Sequence, residues 1–154
     1  MKAPDFDLLG VDGKRHSPAT ARGTNGLVVM FICNHCPYVK RSLEQILRDC
    51  HALAKQGIGS IAVMPNDPGY NTEDSFDNMR RIAKEKSFPF PYVIDDSQDV
   101  ARAYDAVCTP DFFGFGAGLE LKYHGRLDEL LPALTGTPPQ KAMNSIGCSI
   151  KWKT

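Results

Sequence analysis

Residues 26–32 form a continuous apolar run, Gly-Leu-Val-Val-Met-Phe-Ile. The run is too short for a helix and shows no alternation. It predicts a central strand covered on both faces. The pattern then changes period. From Pro37 to Gln56 the apolar positions are Val39, Leu43, Ile46, Leu47, Cys50, Leu53 and Ala54. That spacing is one stripe of an amphipathic helix. Pro37 is tolerated in its first turn, and Gly57 is placed to end it. Ile58–Met64 reads as a second buried strand, and residues 65–71, rich in Pro, Asn, Asp and Gly, as the loop leaving it.

Downstream, Thr72 to Ser87 reads as a helix with Phe76, Met79, Ile82 and Ala83 on its apolar side. Pro89 and Pro91 flank an extended piece ending in Tyr92-Val93-Ile94. Ser97 is placed to cap a short helix through Val100, Ala103 and Tyr104. Phe112–Phe115 and Leu119–Tyr123 read as strands of a hairpin around residues 116–118, and Glu129–Leu134 as a last short helix stopped by Gly136 and Pro138-Pro139. At the front, Asp12-Gly13 is a turn between two short strands, and Ser17 to Asn25 is a loop. The sum is an α/β fold: three layers, helices on both faces of a central mixed sheet, and an N-terminal β extension. One domain is expected over residues 1–154, with 140–154 as a C-terminal tail.

Composition narrows function by exclusion. Lys+Arg and Asp+Glu are equal at 18 each, so no global charge points to nucleic acid or an anionic membrane. No apolar stretch approaches the ~20 residues of a membrane span. The first residues, Met1-Lys2-Ala3-Pro4-Asp5, lack the apolar region of a signal peptide. The five cysteines, Cys33, Cys36, Cys50, Cys108 and Cys148, are too few and too scattered for a secreted disulfide scaffold. A cytoplasmic protein with a few special thiols is therefore expected.

Two of those thiols have a motif spacing. Cys33-Asn34-His35-Cys36 lies between the buried strand and the helix that Pro37 opens. Unpaired N–H groups and the positive end of the helix dipole favour a thiolate there. Two thiols at such a turn suit dithiol–disulfide exchange. Zinc sites use the same spacing, but no second Cys-x-x-Cys or His-x-x-x-His exists to complete four ligands, so no metal site is expected.

Val107-Cys108-Thr109-Pro110, just before the hairpin, extends the pattern. Here the chain resembles the thioredoxin superfamily, in which a Thr-Pro or Val-Pro dipeptide carries a cis-proline facing the Cys-x-x-Cys. Finer resemblance is to the redoxin branch related to alkyl hydroperoxide reductases. It is carried by Ala3-Pro4-Asp5-Phe6, Val11-Asp12-Gly13-Lys14, Phe31 to Lys40, and Cys108-Thr109-Pro110-Asp111-Phe112-Phe113. The ending from Ser145 to Trp152 is similar to that of bacterial thioredoxin-like proteins sharing Cys-Asn-His-Cys-Pro.

The resemblance implies a thiol–disulfide oxidoreductase needing no organic cofactor. Its partners would be a disulfide-bearing protein or small thiol and an electron donor or acceptor. Cys33 would be the more exposed nucleophile, and Cys36 would resolve the mixed disulfide. Pro110, in cis, would let the Thr109 backbone pair with an extended substrate segment. Asn34 and Pro37 would also face substrate. His35, between the cysteines, would lower the Cys33 pKa.

Other features depart from that pattern. The strand before the motif, Leu27 to Ile32, contains no acid, which leaves water, Asp111 or Asp67 to handle the Cys36 proton. Peroxiredoxins carry Thr or Ser three residues before their reactive cysteine. Met30 stands there for Cys33, and Cys33 for Cys36, which disfavours the alternative of a thiol peroxidase. A copper or zinc carrier using Cys33 and Cys36, with His35, Cys108 or Cys148, is the other alternative. The link Arg126-Leu127-Asp128 is shorter than the resemblance leads one to expect. Cys50 reads as a core residue. Cys108 either packs or serves the dithiol, and Cys148 is either a free cysteine on a docked tail or a third redox thiol. Phe112, Phe113 and Phe115 read as strand core that in part lines a groove. His16, His51 and His124 carry no motif, and the basic residues Arg80, Arg81, Lys84 and Lys86 read as a solvated helix face.

Overall fold

The computed structural model describes residues 1–136 and 147–153. In chain order, β1 (Leu8–Leu9) and β2 (Arg15–His16) form the small antiparallel extension expected around the Asp-Gly turn. A four-residue helix, α1 (Pro18–Ala21), follows where a loop was expected, because Ser17 and Thr20 cap each other's backbone N–H. Then come β3 (Gly26–Phe31), α2 (Pro37–Lys55), β4 (Ile58–Met64), α3 (Phe76–Glu85), β5 (Tyr92–Ile94) and α4 (Asp99–Ala103). The chain continues with β6 (Cys108–Thr109), β7 (Asp111–Phe115), β8 (Leu121–Gly125), α5 (Leu127–Thr135) and β9 (Cys148–Ser149).

The main sheet has the order β5-β4-β3-β7-β8. β3 runs parallel to β4 and antiparallel to β7, so the sheet is mixed. The unbroken apolar run of β3 is explained by two separate packings. Val28 and Met30 join α2, α3 and α5 through Ile46, Leu53, Met79, Leu127 and Leu130. Leu27, Val29 and Phe31 point the other way, to Phe113, Phe115, Val100 and Tyr104. Alternation along a strand assigns the two sets to opposite faces. With both faces covered, a polar residue at either set would lose its water.

Some boundaries differ from expectation, each for a local reason. Thr72 to Ser87 is a short 3-10 helix, Thr72–Asp74, followed by α3, because Ser75 leaves helical geometry and caps the Asn78 N–H. α4 is capped by Asp95 rather than by Ser97 alone: the Asp95 carboxylate accepts from the N–H groups of Val100 and Ala101. α5 begins at Leu127, directly after Arg126, so β8 and the helix are joined with almost no loop. Gly57 ends α2 with φ of 77°, a left-handed conformation that glycine adopts without steric cost. Residues 140–146 of the expected tail lie outside the described residues. Beyond them the chain is structured, and β9 pairs antiparallel with β6, with Thr109 opposite Cys148.

Candidate functional site

β3 ends at Phe31, and the chain turns through Cys33 to Cys36 into α2, whose first residue is Pro37. Cys36 is the residue that flanks the helix start. Across from it, the Thr109–Pro110 peptide bond is cis, as the resemblance implied. Thr109 Oγ1 lies 3.4 Å from Cys33 Sγ, and the Thr109 carbonyl oxygen lies 3.5 Å from Cys36 Sγ.

Neither thiol is exposed. Cys33 is 2% and Cys36 0% accessible, so Cys33 is the more accessible of the pair, though both are buried. What separates them is position: Cys33 lines a cleft of about 720 Å³ between α2 and α3, together with Asn34, Lys40, Arg41 and Phe88. Cys36 Sγ meets another thiol, Cys148 Sγ, at 3.0 Å.

The pair shares a hydrogen bond that pulls its two titrations apart. Cys36 is brought down to about 4, first by that bond, then against burial by Cys148 and the N–H groups of Val39 and Tyr38. Cys33 is pushed well above the ordinary thiol value, first by the same bond and then by burial and the Asp74 charge, with Thr109 opposing. The lowering expected at Cys33 falls on Cys36 instead, first through its interaction with Cys33 and only then with help from Cys148 and the helix-start N–H groups.

His35 does not reach toward the thiols for a hydrogen bond. Its Nδ1 lies 2.5 Å from Oδ2 of Asp74, a carboxylate with 0% exposure. Asp74 also accepts from the backbone N–H groups of Asn34 and His35 and from Nδ2 of Asn66. It is thus an acid beneath the motif that the sequence reading did not name. Asp111 bonds His124 Nε2 at 3.0 Å, and Asp67 accepts from the Gly69 N–H in its own loop. Asp74 was missed because it sits 38 residues beyond Cys36 with no motif around it. The only cue was Asn71, whose side chain caps the short helix that carries it.

The remaining residues are placed as follows. Asn34 is buried, with its side chain donating to the Glu73 carbonyl and accepting from the Tyr92 hydroxyl at 2.8 Å, so it fastens the turn internally. Pro37 is exposed. Cys50 is buried beside Met30 and held up at about 11 by burial. Cys108 is half-buried and raised, chiefly by burial. Phe112, Phe113 and Phe115 are all in the core rather than on a groove. His124 stacks on Phe113 at 4.1 Å, His16 pairs with Asp12, and His51 is exposed. Arg80, Arg81, Lys84 and Lys86 are exposed, and Arg81 pairs with Glu85.

Ligand atoms of Cys33, His35 and Asp74 lie within 4.8 Å of one another, the one such group among the described residues. The His35 nitrogen and Asp74 oxygen nearest each other are already spent on their mutual contact.

A two-cysteine turn between a buried strand and a helix, set over a cis-proline beside a mixed five-stranded sheet, defines a thioredoxin-like domain. Within that class, the chain belongs to the AhpC/TSA family, which it matches over residues 1–124. A crystal structure of an uncharacterized conserved protein from Geobacillus kaustophilus is 38% identical, with TM-score 0.88 over 99% of this chain and 91% of that one. A thiol-disulfide oxidoreductase from Bacteroides fragilis shares the fold at 17% identity, with TM-score 0.68 over 88% of this chain and 96% of that one. Thiol-disulfide oxidoreductase ResA of Geobacillus thermodenitrificans is 29% identical over 111 residues, 72% of this chain and 59% of ResA. The chain thus spans about three fifths of the length of that curated relative.

Proposed function

We propose that this protein is a thiol–disulfide oxidoreductase whose redox couple is Cys33 and Cys36. The observation that carries the reading is geometric: two buried thiols at the strand-to-helix turn, Cys33 Sγ 3.4 Å from Thr109 Oγ1 and Cys36 Sγ 3.5 Å from the Thr109 carbonyl oxygen, beside the cis peptide bond to Pro110.

Cys33 meets the substrate, because it is the member of the pair that lines the cleft. As Cys33 sulfur attacks one sulfur of a substrate disulfide, its proton passes along the shared hydrogen bond to Cys36. The substrate S–S bond breaks and one substrate thiolate leaves. Cys36 then gives up its proton to that thiolate or to water and attacks Cys33 sulfur in the mixed disulfide. The second substrate thiolate leaves, the substrate has gained two electrons, and Cys33–Cys36 is a disulfide. A partner dithiol reverses the sequence. The couple resides in side chains, so these steps use no bound organic cofactor.

Peroxide reduction fits less well. Met30, three residues before Cys33, is fully buried in β3 and offers no hydroxyl to a peroxide.

The test is the reduction potential of the pair, measured by equilibrating the protein in glutathione or dithiothreitol buffers and counting free thiols by mass spectrometry. A reversible two-electron couple between roughly −280 and −120 mV is expected. Absence of any reversible couple at Cys33 and Cys36 would overturn the reading.

A further inference from the structure

The C-terminal strand brings a third thiol to the pair. Cys148 Sγ lies 3.0 Å from Cys36 Sγ, with Cys148 opposite Thr109 in the register of β9 on β6. The edge of β6 that was expected to receive a substrate segment is therefore occupied by the chain itself, in the same antiparallel manner.

The segment is held by buried polar and apolar groups on both sides. The Ile150 N–H donates to the Val107 carbonyl, and the Ile150 side chain is buried in the core facing Tyr104. Gln98, with no exposure, donates to the Lys151 carbonyl and accepts from the Lys153 N–H. Asn66 accepts from the Lys151 N–H with Oδ1 and donates to Asp74 with Nδ2. One buried amide thus ties the tail to the acid beneath the Cys33–Cys36 turn. Gly147 permits the close approach, since a Cβ there would come 2.9 Å from the Thr109 carbonyl oxygen.

We propose that Cys148 is a third redox thiol, which takes over Cys36 from the Cys33–Cys36 disulfide. The inference rests on the oxidoreductase reading, which supplies that disulfide. The Cys148 thiolate attacks Cys36 sulfur, the Cys33–Cys36 bond breaks, and its electron pair leaves on Cys33 as a thiolate. A Cys36–Cys148 disulfide results, with no net oxidation and no further reactant. In the reduced protein Cys148 is held up at about 11, by burial and then by its hydrogen bond to Cys36 and the Cys36 charge. Once Cys36 is in a disulfide the Cys36 contributions are gone, and burial, the largest influence, still holds Cys148 up. The exchange returns Cys33 to the cleft as a free thiol, once its thiolate has taken up a proton. It also moves the disulfide onto Cys148, which is half-exposed where Cys33 and Cys36 are buried, and so within reach of a partner dithiol.

The experiment is disulfide mapping of the full chain, poised in oxidised and reduced glutathione, trapped with N-ethylmaleimide and cleaved with trypsin. Cys33 and Cys36 share the peptide of residues 23–40, and Cys148 lies in that of residues 142–151. The expected result is two oxidised species. One is peptide 23–40 with an internal disulfide. The other is 23–40 linked to 142–151, with N-ethylmaleimide on Cys33. The linked species should persist in Cys33→Ser and vanish in Cys36→Ser and Cys148→Ser. An internal disulfide alone, at every poise, overturns the proposal and leaves the oxidoreductase reading intact. No reversible disulfide in either form overturns both. The wild-type maps decide by themselves, whether or not the variants fold.

Discussion

His35 Nδ1 and Asp74 Oδ2 are 2.5 Å apart, joining the middle of the Cys33–Cys36 turn to a carboxylate that has no contact with solvent. The same carboxylate receives the backbone N–H groups of Asn34 and His35. The turn is therefore shaped from below by one acid, and the charge of that acid also bears on the thiol beside it.

Replacing that acid should have two separable effects. Asp74→Asn retains one oxygen for the two backbone donors but presents an N–H₂ where His35 or Asn66 now donates. The expected loss of stability is about 1–3 kcal/mol, the cost of a buried polar group left without its partner. The Asp74 charge is among the causes that raise Cys33, so the Cys33 pKa should fall in the variant. Urea unfolding reads the first effect, and the pH dependence of alkylation in Asp74→Asn against wild type reads the second. An unchanged Cys33 titration would show that Asp74 acts only as a scaffold.

Single-cysteine variants should separate the coupled pair. In Cys33→Ser, Cys36 loses the largest influence holding it at about 4 and should titrate higher. In Cys36→Ser, Cys33 loses the largest influence raising it and should titrate lower, while burial still holds it up. The two values should move toward each other. Thiolate absorbance against pH measures both, and movement of either in the opposite direction would mean that the charge rests on Cys33 in the intact pair.

Tyr92 tests the internal fastening of the turn. Its hydroxyl donates to Asn34 Oδ1 at 2.8 Å, and both residues are buried. Tyr92→Phe keeps the ring and leaves the Asn34 oxygen unpaired, so a loss of about 1–2 kcal/mol is expected. Equilibrium unfolding gives the value, and a change under about 0.5 kcal/mol would mean that water replaces the hydroxyl.

Asp111 contributes a pH dependence of known sign. Burial, the largest influence, raises its carboxyl, and hydrogen bonding and charge from His124 only partly oppose this. A carboxyl raised on folding adds stability below its unfolded pKa, about 3.9, and that stability is lost as pH climbs through the folded value. Asp111→Asn should therefore flatten the fall of unfolding free energy as pH rises above the unfolded carboxyl value of about 3.9. Some slope should remain, because Asp49 and Asp95 are also raised by burial. Urea titrations at successive pH values decide it, and parallel curves for variant and wild type would exclude Asp111 as a source.

Much of the fold was legible because period and length are local properties. The run at residues 26–32 could only be a strand covered twice, and the stripe from Val39 to Leu53 could only be a helix with one apolar side. Where expectation failed, a single side chain had chosen between local alternatives. Ser75 broke a helix, and Asp95 took over a cap from Ser97. At the site, Cys33 and Cys36 were readable from motif spacing, and Pro110 from the family resemblance. The titration of the two thiols was not, since it depends first on how the two sulfurs meet and then on burial, Asp74 and the helix-start N–H groups.

By itself, the amino-acid sequence determined the layered α/β architecture and the pair of thiols at the strand-to-helix turn. Those depend on hydrophobic periodicity and on residues three positions apart. Only the tertiary structure decided that Asp74 lies beneath the turn and that Cys148 completes a three-thiol cluster at Cys36. Both come from segments distant in sequence, 38 and 112 residues beyond Cys36. No local pattern encodes such a meeting; it follows from the order of strands in the sheet and from the pairing of β9 on β6.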